Sequence, residues 1–341
     1  MDKYLSNKIK NIQFISIILV VLQHSFLMKE EDYFLDSFKI NNFIQYFFST
    51  GITKVSVPLF FIISGYLFFF NSESSYVTKC KKRIRTLLIP YVFFSIFWFL
   101  IIHVVKIFLK NESIIFSDIL KNLFGSNPIA YQLWFMRDLM ILVTISPLLF
   151  YGILKTKGYI LFLFFLLWFF LPIYEPWERF RESLLFFSFG ALFSTTKQCK
   201  TNIKIDLGKT IFATLIWVVL LIIKSVRNVY HPDENYLSHI LSTSSICVGI
   251  VSIWGTYDFI KRRNFLEKYS PYTFIVYLLH APVVIILVQR IIFKIFGTNY
   301  EIIHIVNYFA SAIITVYICI LSGFLLKKHT PKLYNTITGN R

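Results

Sequence analysis

The first apolar stretch of the chain reads Lys10-Asn-Ile-Gln-Phe-Ile-Ser-Ile-Ile-Leu-Val-Val-Leu-Gln-His-Ser-Phe-Leu-Met28. It is apolar enough to enter a bilayer, yet it carries several polar side chains. At 100° per residue, Gln13 and His24 lie within about 20° of each other around a helix, with Ser16 on the same side. Polar groups at membrane depth usually face a bundle interior or a water-filled cavity. The stretch therefore predicts a membrane helix with a polar stripe, although a helix end with His24 at the headgroup level is a second interpretation.

The composition assigns the whole chain to a membrane. The 341 residues are 56% hydrophobic and 19% aromatic, and their mean hydropathy is +0.63. Only 16% of them are charged, whereas soluble domains have about 25%. A soluble protein of this length could not bury so many long apolar runs. We therefore predict an all-α fold, namely a polytopic membrane helical bundle.

The apolar segments predict about ten transmembrane helices. They are 9–28, 52–70, 87–109, 133–154, 158–174, 183–196, 208–223, 238–259, 271–293 and 302–326. They form one predicted transmembrane domain, residues 1–330, followed by a short cytoplasmic tail, 331–341. The first outer loop, 29–51, is predicted to be an amphipathic connector or a lid along the membrane surface.

The net charge of +17 is distributed as a membrane topology requires. If the N-terminus is cytoplasmic, 22 of the 35 basic and five of the 18 acidic residues fall on the inner side, which then carries the entire excess. Cytoplasmic loops of membrane proteins show this excess of Lys and Arg. The distribution predicts cytoplasmic N- and C-termini and argues against nucleic-acid binding. The four cysteines lack metal-ligand spacing, so no metal site is predicted.

The densest basic cluster is the inner loop Lys79-Cys-Lys-Lys-Arg-Ile-Arg85, which directly precedes the third span. Such a cluster commonly anchors a membrane protein on its cytoplasmic side. The forked guanidinium group of arginine also matches phosphate oxygens. Lys82, Arg83 and Arg85 therefore form either a topological anchor or a site for a cytoplasmic donor that carries several phosphates.

The second span contains Val57-Pro-Leu-Phe-Phe-Ile-Ile-Ser-Gly-Tyr66. Pro58 lacks a backbone donor and should kink the helix. The small pair Ser64-Gly65 allows another helix to approach closely. Tight packing and the lining of a substrate path are both compatible with this pattern.

The fourth span begins with Tyr131-Gln-Leu-Trp-Phe-Met-Arg-Asp-Leu139 at its outer end. Trp134 alone would fit an interfacial aromatic belt. Arg137 and Asp138 directly follow it at the start of an apolar run. These two charges are predicted to pair with each other or with neighbours, or to hold a polar ligand.

The ninth span carries a second histidine in the stretch Tyr277-Leu-Leu-His-Ala-Pro282. Counting about 1.5 Å per residue along each helix, His280 and His24 lie at nearby depths. Two imidazoles on separate spans are more than membrane insertion requires, so both are candidate functional residues.

In this order, the motifs resemble the acyltransferase-3 family of integral membrane acyltransferases. The resemblance covers essentially the full chain. It rests on Val-Val-Leu-Gln-His24, Pro-Leu-Phe-Phe-Ile-Ile-Ser-Gly65, Lys-Lys-Arg-Ile-Arg85, Leu-Trp-Phe-Met-Arg-Asp-Leu139 and Tyr-Leu-Leu-His-Ala-Pro282. It implies a bacterial cytoplasmic-membrane enzyme, surrounded by membrane lipids, that takes an acyl group, usually acetyl, from acyl-CoA inside. The acceptor would be a hydroxyl of a cell-surface glycan or lipid-linked sugar outside.

The polar stripe that carries His24 and the inner basic cluster suggest roles for the candidate residues in such a transfer. His24 would take the hydroxyl proton as a general base, or would carry a transient acyl-imidazole. Acetyl-CoA would bind to Lys82, Arg83 and Arg85. The acceptor would contact Ser64, Trp134, Arg137, Asp138, Tyr277 and His280.

One position departs from the family pattern. The first span of the family usually has Arg eleven positions before its histidine, and this chain has Gln13 there. An amide can hydrogen-bond to the donor but supplies no positive charge. Either Lys10 or the pair Arg83 and Arg85 then supplies that charge, or activity is impaired.

The alternative class is a transporter or exporter of a glycan or small molecule. Polar stripes, broken helices and buried histidines also suit a carrier. The chain shows no inverted repeat, and we expect no acidic side chain within a span to couple protons. These two points favour the enzyme, and a catalytically silent membrane sensor is a third interpretation.

Overall fold

A computed structural model describes residues 1–27, 39–70, 75–110, 130–171, 177–195, 204–230, 236–260 and 264–339. These residues are almost entirely helical and contain no β-strand, so the predicted all-α fold is confirmed. In chain order the helices are α1 (Lys3–His24), α2 (Ile40–Gln45), α3 (Ser56–Phe70), α4 (Tyr76–Arg83), α5 (Ile89–Lys110), α6 (Trp134–Lys155), α7 (Tyr159–Phe170), α8 (Trp177–Thr195), α9 (Leu207–Tyr230), α10 (Tyr236–Phe259), α11 (Asn264–Tyr269), α12 (Thr273–Leu279), α13 (Ile285–Phe296), α14 (Glu301–His329) and α15 (Pro331–Thr338).

Several of these helices join into longer rods through irregular turns. Three of the connecting segments are π-helical: Tyr46–Gly51, Ile84–Leu88 and His280–Val284. Short 3₁₀ turns precede three of the α-helices: Ile52–Val55, Tyr131–Leu133 and Ser270–Tyr272. Single π-helical turns inside helices are frequent at functional sites. Two of the three lie at residues that the sequence marks as functional, namely Arg85 and His280.

Within the described ranges, eight helical rods are long and apolar enough to cross a membrane. They are Lys3–His24, Ile40–Phe70, Tyr76–Val104, Tyr131–Lys155, Leu207–Tyr230, Tyr236–Phe259, Phe265–Phe296 and Glu301–His329. They coincide with eight of the ten predicted spans. The predicted fifth and sixth spans correspond to α7, a shorter apolar helix, and to α8, which begins with a charged turn.

The second rod begins at Ile40, twelve residues before the predicted span. The prediction that residues 29–51 form a loop is therefore wrong from Ile40 onward, and residues 28–38 lie outside the described part of the chain. The amides of this segment are buried and face other protein groups: Gln45 donates to Asn41 over 2.8 Å and accepts from the backbone N–H of Leu27 over 2.9 Å. Hydropathy alone predicts a loop here because the segment is rich in polar residues. It cannot show that these side chains are buried against other protein groups.

Helix α1 lies at the centre of the bundle, where it packs against α3, α10, α12 and α14. Its residues Ile12, Ile17 and Val21 are fully buried. This central position makes α1 a support for a site inside the membrane domain.

Helices α3 and α8 pack with their backbones almost in contact. A β-carbon added at Gly65 would lie 2.1 Å from the carbonyl oxygen of Phe187, and one added at Gly190 would lie 2.1 Å from that of Ile62. Only glycine permits this approach at either position. The interpretation of the small pair Ser64-Gly65 as a place of close helix packing is confirmed at Gly65.

The segment predicted as a short tail, 331–341, contains helix α15, which packs against α5 and α14. Tyr334 and Ile337 are buried there. The helix ends at Gly339, whose backbone is in the left-handed conformation at φ +66°. A β-carbon at Gly339 would lie 2.6 Å from the α-carbon of Thr86, so the chain end presses against the π-helical turn that follows the basic cluster.

Candidate active site

Helix α1 ends inside the protein. Its last residue is His24, four residues before the predicted end of the span. Ser25 is fully buried, and its carbonyl accepts a hydrogen bond of 2.9 Å from the side chain of Gln289. Gln289 lies seven residues, or about 10 Å, before the end of α13 at Phe296. These contacts favour the interior interpretation of the polar stripe over a histidine at the headgroup level.

The imidazole of His24 faces a second imidazole. Its ring centroid lies 5.3 Å from that of His280 and 5.0 Å from the phenol ring of Tyr131. We refer to His24 and His280 as the imidazole pair. Three separate rods contribute to this contact, so the fold brings together residues that are distant in the sequence.

A break in the rod α12–α13 positions His280. Ala281 has an extended backbone, φ −132° and ψ 159°, within the π-helical turn that begins at His280. The following residue is Pro282, which disfavours a helical conformation at the residue before it. The Nδ1 atom of His280 lies within hydrogen-bond distance of the carbonyl oxygens of Val276 and Tyr277, at 3.0 and 2.9 Å. The carbonyl of Val276 also accepts the backbone N–H of His280.

Two hydrogen bonds join the turn before α6 to this break. The side-chain amide of Gln132 donates to the carbonyl of Ala281, and the hydroxyl of Tyr277 donates to the carbonyl of Gln132 over 2.7 Å. Tyr131, the neighbour of His24, lies in the same 3₁₀ turn. Tyr277 therefore supports the site through the backbone of α6. The sequence motif contains Tyr131 and Gln132 but indicates no role for either residue. The one available signal is indirect: a broken helix leaves backbone groups that need hydrogen-bond partners, and a nearby polar side chain can supply them.

The charged pair at the outer end of α6 is internal. Asp138 is almost fully buried and accepts hydrogen bonds from Arg137, at 3.3 Å, and from the hydroxyl of Ser183, at 3.1 Å. The predicted pairing of Arg137 with Asp138 is confirmed. The expectation that no acidic side chain lies within a span is wrong, because Asp138 lies in the second turn of α6, where a cation and a hydroxyl offset the cost of its burial.

The indole of Trp134 lies between α3 and α8. Its ring centroid is 6.4 Å from that of Phe61, and the guanidinium carbon of Arg179 lies 5.6 Å from the indole ring. Trp134 is half-buried and packs against both helices.

The basic residues of the inner cluster have two kinds of environment. The side chains of Lys82 and Arg85 are exposed, and that of Arg83 is half-buried. The guanidinium carbon of Arg83 lies 5.6 Å from the ring of Phe68 on α3. Lys82 and Arg85 are thus available to an aqueous ligand, and Arg83 is directed toward the bundle.

Aromatic side chains lie at intervals between Arg83 and the imidazole pair. Phe68, beside Arg83, lies two turns of α3, or about 10 Å, from Phe61. The ring of Phe61 is 4.6 Å from Phe135, and Phe135 is 5.9 Å from Tyr277. Tyr277 lies 6.4 Å from His280. We call this set the aromatic row; its members are Phe68, Phe61, Phe135 and Tyr277.

The remaining predicted residues lie near these features. Gln13 is half-buried on α1, three positions before the fully buried Ser16. Ser64 is half-buried beside Gly65, at the contact between α3 and α8. Among the described residues, no three His, Cys, Asp or Glu side chains are grouped to hold a metal ion.

Two buried cations were not identified from the sequence. Lys8 of α1 is fully buried and lies 2.8 Å from the carboxylate of Asp258. Lys224 of α9 lies one residue beyond the predicted end of its span, yet it is buried and donates to the hydroxyl of Ser242 over 3.0 Å. Lysine near the end of a span is usually at the membrane surface, so the sequence does not indicate that these two are buried.

Known proteins are similar to this chain over nearly its whole length. A family model described as "Acyltransferase domain" (Acyl_transf_3) matches residues 7–324. The chain is also similar to the succinoglycan biosynthesis protein ExoH of Rhizobium meliloti (strain 1021). The two are 23% identical over 362 residues, which cover 100% of this chain and 94% of that protein. No solved structure matches.

Proposed function

The chain belongs to the acyltransferase-3 family and is a membrane acyltransferase, and we propose that it transfers an acyl group, usually acetyl, from cytoplasmic acyl-CoA to a hydroxyl of a cell-surface polysaccharide or lipid-linked sugar. The glycan acceptor is supported by the similarity to a protein of succinoglycan biosynthesis. The proposed location is the cytoplasmic membrane of a bacterium, with the donor inside and the acceptor outside.

The observation that carries this proposal is the inward-facing imidazole of His24, 5.3 Å from His280. Acyl transfer from a thioester needs a base or a nucleophile at the reacting carbonyl. Neutral imidazole serves both purposes because its unprotonated ring nitrogen carries a free lone pair. His24 ends the central helix of the bundle, below the end of α13, so a donor from the inner side and an acceptor from the outer side can both be directed to it.

The donor is proposed to bind at the inner cluster. Lys82 and Arg85 are exposed and suit the phosphates of CoA, since ionised groups form the strongest hydrogen bonds to phosphate oxygens. The thioester end would then extend past Arg83 and along the aromatic row toward the imidazole pair. Gln13, on the face of α1 that carries His24, would hydrogen-bond to the donor without attracting its charge.

The acceptor is proposed to bind at the outer end of α6. Arg137, which is held by Asp138, would donate to sugar hydroxyls, and the indole of Trp134 would supply an apolar surface beside it. Ser64 lies on the neighbouring α3. Tyr277 contributes indirectly, because its hydroxyl holds the start of α6.

The test is acyl transfer by purified protein in lipid vesicles, with radiolabelled acetyl-CoA and a glycan acceptor extracted from the producing cells. The expected result is CoA release and a labelled glycan with the wild-type protein and neither with His24→Ala. His329→Ala is the matched control, because His329 is exposed at the end of α14 and its loss should leave transfer unchanged. Normal transfer by His24→Ala would remove His24 from the reaction.

A further inference from the structure

The two imidazoles of the site differ in the way they are held. His280 is fully buried, and its Nδ1 atom lies within hydrogen-bond distance of two backbone carbonyls, those of Val276 and Tyr277. A carbonyl can only accept, so Nδ1 carries the ring proton. The Nε2 atom then has a free lone pair, and it is buried with no hydrogen-bond partner among the residues that the structure describes.

We propose that His280 is the base of the second half of a two-step transfer, in which His24 first carries the acyl group. This proposal rests on the proposed function and deepens it, because it selects the acyl-imidazole route over direct transfer. It also assigns a purpose to the unpartnered Nε2 atom, since buried polar atoms are nearly always hydrogen-bonded unless a ligand completes them.

In the first step, a ring nitrogen of His24 attacks the thioester carbonyl carbon. A C–N bond forms, the C–S bond breaks and its electron pair goes to the sulfur. The proton on the other ring nitrogen of His24 leaves with the sulfur, so that CoA departs as the thiol. The product is a neutral acyl-imidazole at His24, and no oxidant or further reactant is consumed.

In the second step, the acceptor hydroxyl gives its proton to Nε2 of His280 as its oxygen attacks the acyl carbon. A C–O bond forms, the C–N bond breaks and the electron pair returns to the ring of His24. The protonated His280 then returns the proton to that ring. The net change is a thioester and an alcohol converted into an ester and a thiol.

The geometry around His24 favours His280 for this role. The ring centroids of His24 and His280 are 5.3 Å apart, so a hydroxyl that attacks an acyl group on His24 lies beside the ring of His280. Tyr131 is equally near, but its phenol carries a proton at neutral pH and cannot take another. Asp138 already accepts from Arg137 and Ser183.

The experiment measures the two half-reactions separately with the full chain in lipid vesicles. His280→Asn is the main variant, because an amide nitrogen can replace Nδ1–H at the backbone carbonyls while no base remains at Nε2. Without acceptor, radiolabelled acetyl-CoA should release about one CoA per protein and label the protein in both wild type and His280→Asn, but not in His24→Ala. With glycan acceptor, His280→Asn should transfer at least about a hundredfold more slowly than wild type.

Three results would overturn the proposal. One is transfer to the glycan at the wild-type rate by His280→Asn. Another is loss of CoA release by a His280→Asn protein that melts at the wild-type temperature. The third result concerns the wild-type protein alone. It is that the protein transfers acetyl to glycan, yet peptide mass spectra taken without acceptor never show the acetyl group on His24. Failure of the proposed function is distinct, because the wild-type protein would then release no CoA and label no glycan.

Discussion

At the level of single residues, Lys8 shows how a buried charge is accommodated in this bundle. Its ammonium lies 2.8 Å from Asp258 and 4.5 Å from the centroid of the Trp254 ring, and its side chain is fully buried. Tyr4 donates a second hydrogen bond of 2.6 Å to the same carboxylate. Removing one partner of such a pair leaves an uncompensated buried charge, which costs more than the pair contributes.

We therefore expect Lys8→Met to lower the free energy of unfolding by about 3 kcal/mol. The change should appear as a lower melting temperature of the purified protein. Lys10→Met is the matched control, because Lys10 is exposed on the same helix, and the double variant Lys8→Met/Asp258→Asn should recover part of the loss. Equal melting temperatures for Lys8→Met and Lys10→Met would contradict this account.

The inner cluster gives a second residue-level prediction. Arg85→Gln removes an exposed cation that we assign to the CoA phosphates. The KM for acetyl-CoA should rise about tenfold or more, while kcat should change little. This is the result expected when a charge-assisted hydrogen bond is equally strong in the ground state and the transition state. Steady-state kinetics at varied acetyl-CoA measures the effect.

Lys81→Gln is the matched control for Arg85→Gln. Lys81 is exposed in the same cluster but is not assigned to the donor, so its KM should stay near the wild-type value. A similar rise in KM for both variants would indicate a general charge effect rather than a phosphate site at Arg85.

At the level of elements, the contact of α3 with α8 depends on two glycines. Gly65 and Gly190 let backbone atoms of the facing helix occupy the space of a side chain. In a membrane, helices gain little from the hydrophobic effect against one another, so close packing at small residues is a main source of association. Residues of the proposed acceptor site contact both partners, because Trp134 packs on α3 and Ser183 of α8 binds Asp138.

Gly65→Ala is expected to destabilise the protein by about 3 kcal/mol, because its new methyl group would overlap the carbonyl of Phe187 and force the helices apart. Thermal unfolding in detergent measures the loss. The control is Gly152→Ala, where the nearest atom to the new β-carbon lies at an ordinary 3.6 Å and alanine favours the helix. Equal melting temperatures for Gly65→Ala and Gly152→Ala would contradict this interpretation.

Helix α15 allows a prediction that links the chain end to the inner cluster. Gly339→Ala would strain a left-handed residue and would press its β-carbon against Thr86, one residue after Arg85. We expect a raised KM for acetyl-CoA. Gly297→Ala is the matched control, since Gly297 also has positive φ, +76°, but nothing lies within 4 Å of its β-carbon. An unchanged KM for Gly339→Ala would separate α15 from donor binding.

At the level of the whole molecule, the two chain ends lie at the same end of the bundle. The side chain of Asn7 lies 3.5 Å from the carboxylate of Glu267, and Gly323, near the end of α14, faces Tyr272. Both contacts are to residues 264–272, where the rod α11–α13 begins. An even number of crossings follows, as the ten predicted spans require, and the positive-inside distribution assigns this end to the cytoplasm.

We expect a fluorescent protein fused after Arg341 to fluoresce and an alkaline phosphatase fused there to be inactive. Alkaline phosphatase fused after Gly297, between α13 and α14, should be active, since that turn lies at the opposite end. Reporter activity in intact cells is the measurement. Active phosphatase at Arg341 would reverse the orientation and with it the sides assigned to donor and acceptor.

The sequence by itself determined the membrane class, the positions of eight rods apart from the starts of the second and third, and His24 and His280 as candidates. It left the pairing of Arg137 with Asp138 as one of several alternatives. The features that it determined follow from properties of neighbouring residues: apolar length, helical periodicity and the preference of polar groups for the bundle interior. Only the tertiary structure decided which candidates meet. Three such contacts join residues that are hundreds of positions apart or on different rods. They are the contact of His24 with His280, the hydrogen bonds between α6 and the broken helix, and the ion pair of Lys8 with Asp258. Hydropathy measures average polarity along one segment, and it cannot register a partner that another segment supplies.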